Sequence, residues 1–457
     1  MSIIIKGGTI VSSKKSYLAD IEIKGEKITN IGENLDTSGC EIIDAKGKLI
    51  FPGFIDSHTH FDLDTGYTRT ADNFETGSIA AIAGGTTTIL DFATQNKGET
   101  LVEALDNWHE LADDKSSCDY GFHMAITDWN KQVKSEIPIM KEKGISSYKA
   151  YMAYDNLRIN DGEIYELMKT LKEHKSILGV HCENGDLVNT MVKEQLDMGH
   201  KSPKYHPLGR PNIVESEAVS RFIDIAYILD APIYIVHLST KESLEEVLKA
   251  RKRNQKLVVE TCPQYLLLNE SKYLDDSFEC AKFVLSPPLR RAEDNESIWN
   301  GLTHELIDII GTDHCSFNFK KQKEHGIDDF SKIPNGIPGV EHRPRLIYTY
   351  GVNGGRITQE QMCSLLSENI AKVFGMYPQK GAVQIGSDAD IVVWDTEKEE
   401  LISANTQKQN VDYTPFEGFK TKGYPQDVFL RGTHIVHDGN IMKRNCGKYV
   451  KRGDCNV

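Results

Sequence analysis

The run Asp56-Ser57-His58-Thr59-His60 places two imidazoles at alternate positions. On a β-strand, side chains two apart share a face and stand about 6–7 Å apart along the backbone. Such a pair can ligate one transition metal, for which neutral imidazole is the usual donor. Alone, a His-x-His run also fits a polar strand end. Three further residues offer the same chemistry: His181 in GVHCENGD, His237 in IYIVHLS and Asp313 in IIGTDHC. Two divalent ions carry four positive charges, whereas four neutral imidazoles and one carboxylate supply a single negative one. The imbalance asks for a further anion. Lys149, in SSYKAYMAY, can supply it only as a carbamate, because an ammonium repels metal. Taken alone, Lys149 fits a lysine ion-paired inside the fold.

These residues need a scaffold that brings distant segments to one rim. Strand-like runs fall at 54–60, 86–92, 120–127, 146–154, 177–181, 233–238, 257–261 and 306–312. Between them lie segments of helical period, such as 162–174, 215–229 and 241–252; Val219, Phe222, Ile223 and Ala226 make the apolar face of the second. This alternation predicts an α/β fold, a (β/α)8 TIM-like barrel. A doubly wound sheet is the alternative, but its glycine-rich nucleotide loop is missing. Gly84–Gly85 and Gly354–Gly355 read as helix ends. Polar residues that end barrel strands face the mouth. The first strand then presents His58 and His60, the fourth Lys149, the fifth His181 and the sixth His237, while the eighth leads into Asp313. Short β-rich runs at 2–5, 9–11, 20–24, 27–31, 41–44 and 48–51 precede the barrel, and others at 390–394, 428–431 and 434–437 follow it. We expect a small β-sandwich domain from residues 1–51 and 379–457, with the barrel domain, 52–378, inserted between them.

A chain of 457 residues, 39% hydrophobic and 26% charged, can bury a large core, which excludes disorder as its main state. Its net charge of −14 argues against a nucleic-acid partner, which would need a basic face. The short clusters Arg251–Arg253 and Lys320–Lys321 read as solvated faces. No apolar run approaches the roughly 18–20 residues of a membrane span, and the first residues do not read as a signal peptide. Nine scattered cysteines without a CxxC pair fit a reduced compartment, so a cytoplasmic location is expected.

The segments FPGFIDSHTH, GGTTTILDF, SSYKAYMAY, VHCENGD, YIVHLS, ETCPQYLLL, LSPPLR, GTDHC and PNGIPGVE occur in this order over residues 51–341. With DYTPFEG at 412–418, they resemble the hydantoinase/dihydropyrimidinase family of cyclic amidohydrolases, and HTHFDLDTGYTRTADNF looks closest to the bacterial D-hydantoinase/phenylhydantoinase branch. The resemblance implies a barrel with a small β-sandwich and two zinc ions per subunit. It implies that His58, His60 and Asp313 bind the more buried ion and that His181 and His237 bind the other. Lys149, as N6-carboxylysine, would bridge both. It further implies that Tyr154 points its hydroxyl at the substrate carbonyl and that Ser286 and Asn335 hold the ring's amide or imide group. Without it, Ser286 and Asn335 read as turn residues beside Pro287 and Gly336.

The activity so implied is hydrolysis of the cyclic amide bond of 5-substituted hydantoins to N-carbamoyl amino acids, with Asp313 carrying the proton. Dihydropyrimidinase is the alternative. Dihydroorotase fits less well, because an Arg usually stands two residues after the second His and here the residue is Asp62. Many hydantoinases carry an apolar Met-Pro-Phe-Gly-Gly run after the His pair, whereas this chain has Leu63-Asp64-Thr65-Gly66-Tyr67-Thr68-Arg69. Non-catalytic scaffold relatives lack much of the ligand set that this chain keeps. Asp56 is a candidate partner for a ligand imidazole. His123 and His314 are not expected to be ligands, and Cys182 and Cys315 read as packing residues. A homotetramer is the implied assembly, with a small cyclic amide or ureide as substrate.

Overall fold

The computed structural model describes residues 2–457. At the amino end, β1 (Ser2–Val11) pairs antiparallel with β2 (Ser16–Lys24), which pairs with β3 (Lys27–Gly32). The runs expected at 2–5 and 9–11 are one strand with a bulge between Ile5 and Gly8. There Gly7 adopts φ 73°, which costs little without a Cβ, and its N–H donates to Asp20 at 2.8 Å. β4 (Glu41–Asp44) and β5 (Leu49–Pro52) lie parallel to the two halves of β1.

The chain then lays down β6 (Phe54–Thr59), β7 (Thr86–Thr94), β8 (Asp119–Ala125), β9 (Ser147–Tyr151), β10 (Ile177–His181), β11 (Ile233–Ile235), β12 (Leu257–Thr261) and β13 (Ile309–Ile310). Each pairs with its sequence neighbours in one parallel eight-stranded sheet, the barrel expected from the alternation. Barrel strands are covered by helices outside and by packed side chains inside, so both faces are buried. Accordingly β6, β8, β9, β10 and β12 are buried at every position, polar residues included. The helices Asp161–Glu173, Asn212–Leu229 and Lys241–Lys252 occupy the expected segments. Two start at capping side chains: Asn160 accepts from Glu163 N, and Thr240 accepts from Ser243 N.

Five strands end earlier than the residue pattern suggests, and three of them lead directly to site residues: β9 ends at Tyr151, β11 at Ile235 and β13 at Ile310. Beyond these ends Tyr154, His237 and Asp313 take left-handed backbone, with φ of 68°, 37° and 51°. A ladder cannot continue through such residues. Each turns out of its strand and into the barrel mouth.

The seam between β6 and the short β13 is closed by a side chain. Arg343, fully buried, donates from Nη1 to Ile55 O and Ile310 O, each at 2.8 Å. Its charge faces Asp56 at 3.7 Å. Above it, His60 N donates to His314 O at 2.8 Å. Arg343→Met should strand two strand carbonyls and leave the Asp56 carboxylate buried without its cation, a loss of about 3–5 kcal/mol. A chemical-denaturation series would read it; a change below about 1 kcal/mol would mean that the seam closes without the guanidinium.

After the barrel, β14 (Ile391–Leu401), β15 (Lys420–Leu430), β16 (Thr433–His437) and β17 (Asn440–Ile441) follow β5 across the first sheet, in the order β17-β16-β15-β14-β5-β1-β2-β3. Both ends of the chain thus build one mostly antiparallel sheet. It coils until Lys27 of β3 bridges to Asp388, just before β14. Ile5, Ile21, Ile28, Ile50, Ile391, Val393 and Phe429 fill the apolar space enclosed. The final residues cross the strand starts: Tyr449 bridges to Tyr120, and the Arg452 guanidinium donates to Phe122 O and, at 2.6 Å, to Ser147 Oγ. Among the described residues, no helix is long and apolar enough to cross a membrane.

Candidate active site

All nine residues singled out from the sequence line one cavity of about 540 Å³ at the carboxyl ends of the barrel strands: His58, His60, Lys149, Tyr154, His181, His237, Ser286, Asp313 and Asn335. That end is where barrel loops converge.

His58 on β6 and His60, just past its end, project to the same side, as the alternation of an extended chain predicts, with ring centres 5.2 Å apart. Both point an Nε2 at Asp313 Oδ1, at 3.2 Å each. His58 Nδ1 lies 2.6 Å from Glu260 Oε1, so its proton sits on Nδ1 and its Nε2 lone pair faces the cavity. That Nε2 is buried and has no hydrogen-bond partner among the described residues. Burial, reinforced by Lys149, holds the His58 imidazolium form well below its ordinary pKa. Burial would raise the Asp313 carboxyl, but His58, His60 and Lys149 outweigh it and pull the pKa down. The carboxyl is an anion at neutral pH.

A second pair stands opposite. His181 Nδ1 and His237 Nε2 are 3.0 Å apart. His181 Nε2 donates to Glu183 Oε2 at 2.8 Å, which leaves Nδ1 as the nitrogen with the lone pair. Burial would raise Glu183, yet Arg210 and His181 bring it to about 2. Burial, with Lys149 next, also keeps His237 neutral. Lys149 rises from β9 beside both pairs, buried, with its Nζ 5.0 Å from the ring centre of Phe92 and 5.6 Å from that of Tyr151. Burial pushes its pKa down to about 8, against the pull of Asp313 and Glu260.

On the cavity wall, the Tyr154 hydroxyl faces the side chains of Ser286, Asn335 and Arg210. Burial raises its pKa, so it is a phenol and a donor at neutral pH. The Ser286 hydroxyl is buried and meets no hydrogen-bond partner in good geometry among the described residues. Asn335 is followed by Gly336 at φ 146°, where a Cβ would lie 2.4 Å from Cys315 O. The turn therefore requires glycine.

Sequence reasoning missed three groups. Glu260, at the penultimate position of β12, accepts from Ser57 Oγ (3.0 Å), His237 N (3.1 Å) and the Tyr234 hydroxyl, besides holding His58. Glu183 and Arg210 form a buried ion pair behind His181. Glu183 left a local signal, standing two residues after His181; Glu260 and Arg210 left none. Asp56 does not orient an imidazole. It accepts from His58 N and Thr312 N, both at 3.1 Å, and ties the two strand ends together. His123 is spent on Ser147 Oγ and Ser57 O, and His314 on Asp72 and the amides of Gly339 and Val340. Cys182 and Cys315 are buried, and burial raises both thiols. Asp62 turns away from the cavity and accepts from Phe74 N at 3.0 Å.

The inward-facing nitrogens of His58 and His181, beside the ionised Asp313 carboxylate, form a donor set suited to divalent cations. The donor atoms of His58, His60 and Asp313 lie within 4.8 Å of one another, and the His181–His237 pair offers a second set. The residues present fit a two-metal centre.

Comparison with known proteins agrees. The pattern of the Amidohydrolase family matches residues 49–435. The chain is 45% identical to a D-hydantoinase of Geobacillus stearothermophilus, covering 99% of this chain and 97% of that one. It is 43% identical to a D-hydantoinase of Ralstonia pickettii, covering 99% of both. The crystal structure of dihydropyrimidinase from Brevibacillus agri NCHU1002 superposes over the whole of both chains with a TM-score of 0.99 at 41% identity.

Proposed function

The chain belongs to the amidohydrolase family and to its hydantoinases, cyclic amidohydrolases that hydrolyse the hydantoin ring, and from that premise we propose that its reaction opens 5-substituted hydantoins to N-carbamoyl amino acids. The observation that carries this reading is the convergence of four imidazoles, Asp313 and Lys149 on one buried point beside Tyr154, Ser286 and Asn335.

His58, His60 and Asp313 would hold one zinc ion, His181 and His237 the other, and Lys149 as N6-carboxylysine would link them. When bound, two such ions polarise the carbonyl oxygen and make water acidic enough to react near neutral pH. The remaining work falls to the chain. Ser286 and Asn335 grip the ring's amide or imide edge and hold the carbonyl carbon in line for attack. Tyr154 donates its phenol proton in a hydrogen bond to the oxygen that becomes negative as attack proceeds. The Asp313 carboxylate takes the proton that water loses and gives it to the ring nitrogen as the C–N bond breaks. One water is consumed: the former imide becomes a carboxylic acid, which ionises by releasing a proton to solvent, and a terminal ureido NH2. Glu260 and Glu183 keep the bare nitrogens of His58 and His181 aimed inward. The neutral amine fraction that burial allows Lys149 favours its reaction with carbon dioxide.

The loop 63–69 contributes Leu63, Asp64, Thr65, Gly66 and Tyr67 to the wall where a ring substituent would sit. Turnover of 5-phenylhydantoin, dihydrouracil and dihydroorotate by zinc-loaded protein tests the assignment. We expect phenylhydantoin to be preferred, with N-carbamoylphenylglycine as product. Preference for dihydrouracil would favour the dihydropyrimidinase reading, and preference for dihydroorotate would overturn the hydantoin assignment. The proposed domain division keeps 1–51 with 379–457 and sets 52–378 apart. A cytoplasmic homotetramer is the proposed state, and a monomer in light scattering at micromolar concentration would contradict that assembly.

A further inference from the structure

Lys323 is fully buried in the turn Lys323–Gly326, and among the described residues its ammonium meets no carboxylate. Its Nζ donates instead to three main-chain carbonyls: Val284 O at 2.7 Å, Pro334 O at 3.0 Å and Gly336 O at 2.7 Å. An ammonium has three donors, and each is used. Burial pushes its pKa down to about 7, against the pull of Cys315, and the three accepting carbonyl oxygens favour the protonated form. Such a group persists where its hydrogen bonds hold something in place.

What it joins is specific. Val284 lies two residues before Ser286, and Pro334 and Gly336 flank Asn335. These two loops share one direct main-chain bond, Gly336 N to Val284 O at 3.1 Å. Behind them Val284, Leu285, Phe330, Ile333 and Ile337 form apolar packing that cannot satisfy the carbonyls. The neighbouring Gln322 donates to Thr68 Oγ1 at 2.8 Å and Arg69 O at 2.6 Å, so the same turn also anchors the loop over the cavity.

We propose that Lys323 is a positioning residue that sets the spacing of Ser286 and Asn335, and through it the grip on the ring's amide or imide edge. Lys323 itself does not line the cavity; its contacts are the carbonyls behind Ser286 and Asn335. The inference rests on the hydantoin-opening reading above. An apolar replacement leaves Pro334 O and Gly336 O without their donor, and the loops must separate to find water.

The test compares zinc-loaded wild type with Lys323→Met and Lys323→Gln, measuring zinc per chain, kcat and KM on 5-phenylhydantoin. Lys323→Met should keep wild-type zinc content while KM rises about tenfold or more and kcat changes less than about threefold, the pattern of lost ground-state and transition-state binding alike. Lys323→Gln, with two donors, should fall between. A KM within twofold of wild type in either variant, whatever the melting temperature does, would overturn the proposal, as would loss of zinc as the main effect. If Lys323→Met gives no soluble protein, Lys323→Gln decides alone, and a KM rise below about threefold rejects the inference. Failure of the functional reading looks different, because wild type itself would then leave the ring unopened.

Discussion

Replacing Lys149 by alanine or by arginine should leave a protein with far less than two zinc equivalents per chain and no measurable ring opening. Without a carbamate, four neutral imidazoles and the Asp313 carboxylate must balance four positive charges, and the ions lose the anion that links them. Arginine cannot substitute, because its guanidinium stays protonated and brings positive charge to the cluster. Alanine leaves a space of suitable size, so acetate or propionate should restore part of both metal and turnover by supplying a carboxylate there. An ordinary ion-paired lysine predicts the reverse: arginine tolerated, alanine only destabilising, metal unchanged. The surroundings disfavour that alternative. Among the described residues Lys149 forms no ion pair, its Nζ lies near the rings of Phe92 and Tyr151, and its pKa is lowered to about 8. Normal zinc and turnover in Lys149→Arg would refute the bridging role.

Where hydrophobic period governs, the sequence was a good guide to the fold. The helix Lys241–Lys252 lies at the predicted bounds, and β10 and β12 match their predicted runs. Period fails where a residue turns out of its strand. Asp313 and His237 are of types that visit left-handed backbone more readily than most, but hydrophobic spacing does not reveal it, and for the bulky Tyr154 it is unfavourable. Surrounding structure imposes it, so β9, β11 and β13 end early. The seam held by Arg343 is hidden for a similar reason, since an arginine in sequence reads as surface.

The candidate site divides along the same line. His58 and His60 were legible because strand alternation alone makes them neighbours. Lys149, His181, His237 and Asp313 needed the barrel, which equates strand ends far apart in the chain. Ser286 and Asn335 came from family resemblance alone. Glu260 stands 202 positions from the imidazole it orients, and its carboxylate in a buried strand looks like any other charge until Ser57, Tyr234 and His237 are seen around it. Arg210 and Lys323 are invisible for the same reason.

Asp313→Asn should lower kcat by roughly 10²–10⁴-fold even at saturating zinc, the range expected when a positioned proton carrier is removed. Asparagine is the informative replacement. The backbone at 313 has φ 51°, a conformation that asparagine adopts more readily than alanine, so the loop keeps its shape. The amide also retains an oxygen where Oδ1 approaches His58 and His60 at 3.2 Å, so a ligand atom survives, though without its charge. What the variant cannot do is accept a proton and return it to the leaving nitrogen. Zinc affinity should weaken because an anion is gone, and excess zinc should refill the site without restoring turnover. KM should change little, since Tyr154, Ser286 and Asn335 still hold the ring. If zinc-saturated Asp313→Asn instead kept kcat within about tenfold of wild type, Asp313 would be a ligand only, and the proton would have to travel by another group. Among the cavity's carboxylates, Asp64 stands in the outer loop and Asp313 among the imidazoles, so the choice falls on Asp313.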